Sequence, residues 1–270
     1  MAKIDRRFSL LHSILFSALV MALACLPPDR ASANDEVGKA AVVKNSVSGT
    51  LSGSLSVSDA VFSAEDISAG DASHGELLLN DDSRIIVGEN STVKLDDFAV
   101  SSGGFTNATI KVTKGAFRFI TGNSAKDAFK ISTPLSTIGI RGTVFDVYVD
   151  GDSGASRVVL LQGALTVCTQ GAACISAERF CDVIEVKGPG QIERSPFLRS
   201  AGRSRAEEKE QFQLTERQER FQANWRAPTR ACSARAAQEA SNAGRRGTSK
   251  GSGDQDRSSD SESENDPYRN

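Results

Sequence analysis

Between Gly75 and Gly188 the apolar residues of this chain recur at every second position, in runs of about four to ten residues, and nowhere at the 3.6-residue period of a helix. GELLLN, SRIIVGEN, STVKLDDF, ATIKVTKGAFRFITG, FKISTPLS, TIGIRGTVFDVYVD, SRVVLLQGALTVC and DVIEVKGPG are separated by turn formers such as Asn80-Asp81-Asp82-Ser83 and Asp150-Gly151-Asp152. A period of two sends successive side chains to opposite faces of a strand, so a chain patterned this way is confined to an all-β fold. The expected architecture is a compact antiparallel two-sheet domain, jelly-roll-like or coiled.

One strand changes phase partway along. In TIGIRGTVFDV the apolar set is Ile138 and Ile140, then, after Arg141-Gly142-Thr143, it becomes Phe145, Val147 and Val149. Moving the inward face from even to odd numbers requires one extra residue, which a bulge at a glycine supplies. Lys114-Gly115 makes the same move, since Ile110 and Val112 are even whereas Phe117 and Phe119 are odd. IKVTKGAFRF and VVLLQGALTV match each other at an offset of 48, and glycines 88, 115, 142 and 163 fall 27, 27 and 21 residues apart, each beside a strand. A backbone that turns a corner at each glycine is the expected result.

The amino terminus carries Lys3, Arg6 and Arg7, an apolar run from Phe8, and the small-x-small site Ala31-Ser32-Ala33, the pattern of a secretory signal peptide over residues 1–33. Alternatives are a retained anchor, which the short apolar run and Pro27-Pro28 disfavour, and lipoprotein processing that would leave a lipid anchor at Cys25. The remainder is expected to be soluble and exported to the periplasm or beyond. Removing residues 1–33 takes away four basic and two acidic side chains, so the net charge moves from −2 to −4, which argues against a nucleic-acid partner. Of five cysteines, Cys168, Cys174, Cys181 and Cys232 remain, an even number that favours disulfides in an exported chain. Four cysteines allow three pairings; a bridge inside the Cys168, Cys174, Cys181 cluster is favoured, and the spacing does not match zinc knuckles.

Residues 34–74 form a Ser/Gly-rich lead-in in which Val47, Leu51, Leu55 and Val57 suggest edge strands, and residues 75–188 form the β domain. After a linker at 189–202, residues 203–227 are helix-forming and charged; their Phe212, Leu214, Phe221 and Trp225 do not complete an apolar stripe, so this helix either docks by a few aromatics or stays solvated. Residues 228–270 are expected to be mostly disordered, having six acids against two arginines between 251 and 270 and almost no apolar side chains from Ser241.

Catalytic chemistry has little to stand on. His74 is the one histidine outside the signal segment, has no nucleophile motif beside it, and reads as a surface turn residue. Asp150-Gly151-Asp152-Ser153-Gly154 lacks the ligands of a calcium loop and reads as a hairpin turn. Asp81-Asp82 and Asp96-Asp97 would serve a carboxylate-pair hydrolase only if they met in a cleft; at strand ends they read as turn chemistry. No cofactor, metal site or nucleotide loop is expected. Arg141 is expected to clamp its corner, pairing with a carboxylate such as Asp146 or Asp96, with a ligand-binding arginine as the alternative.

ISTPLSTIGIRGTVFDVYV, Ile131 to Val149, resembles the signature core of the FecR domain, a Thr-Pro, an apolar strand and an Arg-Gly-Thr-x-Phe. DDSRIIVGENSTVKLDDF, KGAFRFITG and VVLLQGALTVC resemble the neighbouring strands of that family. The resemblance implies a bacterial envelope protein with a binding rather than catalytic role, and it marks Thr133, Pro134, Arg141, Gly142, Thr143 and Phe145 as motif positions. Family members are best known as sensors that relay an outer-membrane signal to an anti-sigma region in the cytoplasm. Here seven residues precede the apolar segment, so anti-sigma activity is not expected. The expectation is a stand-alone envelope module that binds a protein or glycan partner, with a sensory subunit of a split sigma/anti-sigma system as the alternative.

Overall fold

The computed structural model describes residues 35–195 apart from 103, 126 and 172, together with 211–216, 218–221, 223, 226, 227, 229, 232, 234 and 238. The signal-peptide reading of residues 1–33, Trp225, and the tail beyond residue 238 lie outside these, as do residues 203–210 of the expected helix.

The described residues are almost entirely β. Fifteen strands run in chain order: β1 (Glu36–Lys44), β2 (Val47–Gly49), β3 (Gly53–Ser54), β4 (Ala60–Phe62), β5 (Glu65–Ala69), β6 (His74–Leu79), β7 (Arg84–Val87), β8 (Ser91–Ser101), β9 (Gly104–Ile120), β10 (Phe129–Ser132), β11 (Ser136–Val149), β12 (Ser156–Thr169), β13 (Cys174–Ala177), β14 (Val183–Gly188) and β15 (Gln191–Ser195). They join one hydrogen-bonded sheet whose main path is β15-β14-β12-β11-β10-β9-β7-β6-β1-β4. Every pairing is antiparallel except β9 with β10. The all-β expectation is met, by one coiled sheet in place of the two sheets expected.

The coil comes from long strands that change partners at a glycine. The first part of β9 pairs with β8 and β10, whereas the part after Lys114 pairs with β7 and β11. β11 does the reverse, leaving β10 at Gly139 and meeting β9 from Val144 onward. Its register against β12 shifts between Arg141 and Val144, where the sequence changes phase. Gly142 adopts φ +58° and Gly163, opposite it on β12, φ +81°, the left-handed region that an L side chain enters at a cost. Because the phase moves with the corner, Ile110, Ile131, Ile138 and Ile140 before it and Phe117, Phe119, Phe145 and Val147 after it all enter one continuous core.

The lead-in is bonded into the same sheet. β1 lies between β6 and β4, with Val37 and Ala40 fully buried, so it is an interior strand, while β4 is the edge. From Gln211 the described residues lie on the outer face of the sheet as a strap with a short helix α1 (Gln213–Glu216) and a 3-10 turn at Gln218–Arg220. Phe212, Leu214 and Phe221 of the strap are buried against it. The described part of the segment thus packs on the sheet through these three side chains.

Candidate functional site

The Arg-Gly-Thr corner is held by threonine. Thr143 is buried, its Oγ1 donates to the Ala164 carbonyl (2.8 Å) and accepts from the Arg141 amide (2.9 Å), and its own amide donates to Thr121 Oγ1 (2.9 Å). Thr121 Oγ1 in turn donates to the Thr143 carbonyl at 2.9 Å. Together these bonds satisfy the backbone groups that a bulge removes from the ladder. Phe145 is core, and Thr133 closes the preceding turn by accepting the Ser136 amide at 3.1 Å, with Pro134 at the turn's second position.

Arg141 departs from expectation. It is exposed and, among the described residues, in no ion pair; Asp146 pairs with Arg118, and Asp96 with Lys94 and Lys111. Parity explains the miss: Arg141 shares the outward face of Thr137 and Gly139, on the half of β11 that the strap does not cover. It borders an open groove of about 720 Å³ whose floor includes Gly139, Ala164 and Thr166, with Ser176 and Glu178 on the far side.

The other half of the outer face carries what sequence reading missed. On β9 and β11 Arg118 and Asp146 are direct cross-strand neighbours, and they form a two-pronged ion pair, Nε to Oδ1 at 2.5 Å and Nη2 to Oδ2 at 2.7 Å. The strap completes it: Arg118 Nη1 donates to Gln218 Oε1 (2.9 Å), and Thr215 Oγ1 donates to Asp146 Oδ2 (2.6 Å). Beside it Arg157 on β12 pairs with Glu185 on β14, and its guanidinium lies 5.1 Å from the Phe212 ring centroid. The signal was present, since Arg118 sits between Phe117 and Phe119, and Asp146 between Phe145 and Val147. A charge between two core residues in a strand needs a partner on the opposite face, but finding it requires the register.

His74 is a further correction. It opens β6 and is buried beneath the strap, edge-on to Phe221 with ring centroids 5.6 Å apart, and its Nε2 lies 3.8 Å from Glu76 Oε1. Burial, aided by Lys44 and Arg220, holds its pKa below the ordinary imidazole value. Asp81 and Asp82 follow the turn reading, whereas Asp96 and Asp97 lie inside β8, at a shift in its register with β9. Asp81 accepts from the Ser83 amide and hydroxyl and Asp82 from Asn123, while Asp97 accepts from Asn107. A hydrogen bond from the Lys111 side chain draws the Asp96 pKa down, and Asp150 is lowered by the Ser153 hydroxyl and amide in its hairpin. Among the described residues no cluster of three or more His, Cys, Asp or Glu has metal-binding geometry. The cysteines pair as Cys168–Cys174, within the expected cluster, and Cys181–Cys232, which ties the strap to the start of the β14 hairpin.

Residues 65–166, from the start of β5 to Thr166 on β12, match the family model described as FecR protein. The segment is a FecR domain. The motif residues Thr133 to Phe145 lie inside it, and so do Arg118 and Asp146; β1 to β4 and β13 to β15 extend the same sheet beyond it. No curated protein matches the chain. Two crystal structures described as a candidate anti-sigma factor from Parabacteroides distasonis ATCC 8503 are similar to the chain at 15% and 14% identity, with TM-scores of 0.41 and 0.40. In each case 48% of this chain is covered, and the chain spans 58% of the length of the other. Among the described residues no helix is long and apolar enough to cross a membrane.

Proposed function

We propose that this chain is an exported bacterial envelope protein whose FecR domain works as a non-catalytic sensory module read by another envelope protein. The observation that carries this reading is the FecR match over residues 65–166, whose motif residues Thr143 and Phe145 are buried at the corner. Two disulfides support an oxidising compartment such as the periplasm. The carboxylates that a hydrolase would need are engaged in turns and ion pairs instead of facing each other across a cleft. The groove beside Arg141 is the proposed contact, because it is an open face lined in part by the small residues Gly139, Ala164, Thr166 and Ser176, with the Arg141 guanidinium, in no ion pair among the described residues, at its rim.

The test is site-specific photo-cross-linking in the native envelope, with the photoreactive residue at Thr166 or Ser176 and controls on the β8–β9 hairpin. A discrete protein adduct from the groove positions and not from the hairpin is the expected result. Equal labelling from both, or none from either, rejects the groove as the contact.

A further inference from the structure

A second cavity lies at the seam between the sheet and the strap. It has a volume of about 140 Å³, larger than the roughly 30 Å³ share of one water, and is walled by Tyr148, Arg157, Glu185 and Lys187 with Gln211 of the strap above. Two of its side chains carry buried polar atoms with no hydrogen-bond partner among the described residues, the donor Arg157 Nη1 and the acceptor Gln211 Oε1. Arg157 is 5% exposed. Leaving such groups unpaired in the interior is costly, so their presence in one cavity marks a place where another molecule supplies the missing bonds.

The charge pattern narrows what that molecule is. Arg157 already holds Glu185, the Lys187 ammonium lies 2.5 Å from Glu193, and Asp150 at the mouth accepts from Ser153 at 2.6 Å. A carboxylate or phosphate would crowd a second anion against Glu185 and Asp150, and a cation would meet Arg157. A neutral hydroxyl fits, because it accepts from Arg157 Nη1 while donating to Gln211 Oε1. The cavity is smaller than the roughly 300 Å³ of a drug-sized site, so it takes one edge of a sugar ring and not a whole oligosaccharide.

We infer that this cavity is a binding site for a neutral saccharide, which would bond at once to the sheet through Arg157 and to the strap through Gln211. Occupancy would then tighten the strap on the sheet, and that consequence, though not the binding itself, rests on the sensory role proposed above.

The test is ligand-observed NMR titration of the full exported chain with the methyl glycosides of glucose, galactose, mannose and N-acetylglucosamine, a trisaccharide of any that binds, and acetate as the anion control. Saturable binding of at least one glycoside, undisturbed by acetate and weakened about tenfold by both Gln211→Ala and Arg157→Lys, is the expected result. A trisaccharide that binds better than its monomer would point to an envelope glycan as the source, and equal binding to a free sugar. The inference is overturned if no glycoside saturates, in which case the cavity holds water only, if acetate displaces the sugar, or if Gln211→Ala binds like the parent. Gln211→Ala touches no ion pair, so an unchanged melting temperature separates lost binding from lost folding, and the cross-linking result on the groove does not depend on either outcome.

Discussion

Replacing Asp146 by Asn asks whether the strap is held by the Arg118–Asp146 pair or only covers it. Arg118 is fully buried, and both oxygens of Asp146 are in use, Oδ1 by Arg118 Nε and Oδ2 by Arg118 Nη2 and Thr215 Oγ1. Asn keeps the shape but removes the charge that both prongs of the guanidinium meet, while the neutral acceptors Gln218 Oε1 and the Leu214 carbonyl stay in place. Breaking one side of a buried pair costs about 3–5 kcal/mol, a large part of the roughly 5–15 kcal/mol that keeps a domain folded. At roughly 2–4 °C per kcal/mol for a domain of this size, the melting temperature should fall by about 6–20 °C. Calorimetry and urea melts on the disulfide-intact protein measure this. Replacing both partners, Arg118→Met with Asp146→Leu, should restore most of the loss, since a buried ion pair and an apolar pair of similar volume are often close in stability. A single Asn variant that costs under about 1 kcal/mol, or a double variant no better than the single, would refute the reasoning.

The corner makes a ranked prediction. A Cβ at Gly142 would meet nothing within 4 Å, so Gly142→Ala should cost only the roughly 1–2 kcal/mol of a left-handed residue, with Gly142→Val worse because it is β-branched. At Gly163 the added carbon would lie 2.1 Å from the Gly142 carbonyl oxygen, so Gly163→Ala should destabilise more in urea melts; equal costs would contradict the corner geometry. Cys232→Ser opens a loop of 51 residues and Cys174→Ser one of 6, which in the chain-entropy model gives about 4 and about 2 kcal/mol, so the first should lower the midpoint of denaturation more. Because the folded pKa of His74 lies below the ordinary 6.5, the unfolded chain takes up the proton first; the stability that neutral His74 contributes is complete above about pH 6.5 and is lost as pH falls through the folded value. His74→Gln should flatten the fall in melting temperature between neutral and mildly acid pH, and an unaltered slope would assign it to other groups.

The phase change in TIGIRGTVFDV was legible in the sequence because alternation is strict and few residues besides glycine take the extra position, and the match of IKVTKGAFRF with VVLLQGALTV marked the same device in β9 and β12. What alternation does not convey is which face a strand segment shows to what. Arg141 was expected to brace the corner, but its parity points it to the uncovered half of the outer face, and the brace is Thr143, whose single hydroxyl can donate and accept at once. His74 looked like a turn residue because nothing near it in sequence covers it; Phe221, which does, is 147 positions away. The interior place of β1 was hidden for a related reason, since at Gly38 the constraint is the close approach of β6, where a Cβ would lie 2.5 Å from the Leu78 carbonyl oxygen, and not hydrophobicity.

The Cys181–Cys232 bridge also sets a path for mechanical load. Tension on any segment attached beyond Cys232 would enter the domain through sulfur at Cys181, whose amide is bonded to the Leu160 carbonyl on β12 at 2.7 Å. The strap residues before Cys232 would lie outside that line of force. A tethered tail could therefore be pulled without peeling the strap from Arg118 and Asp146, whereas the same pull on a reduced protein would act on those contacts first.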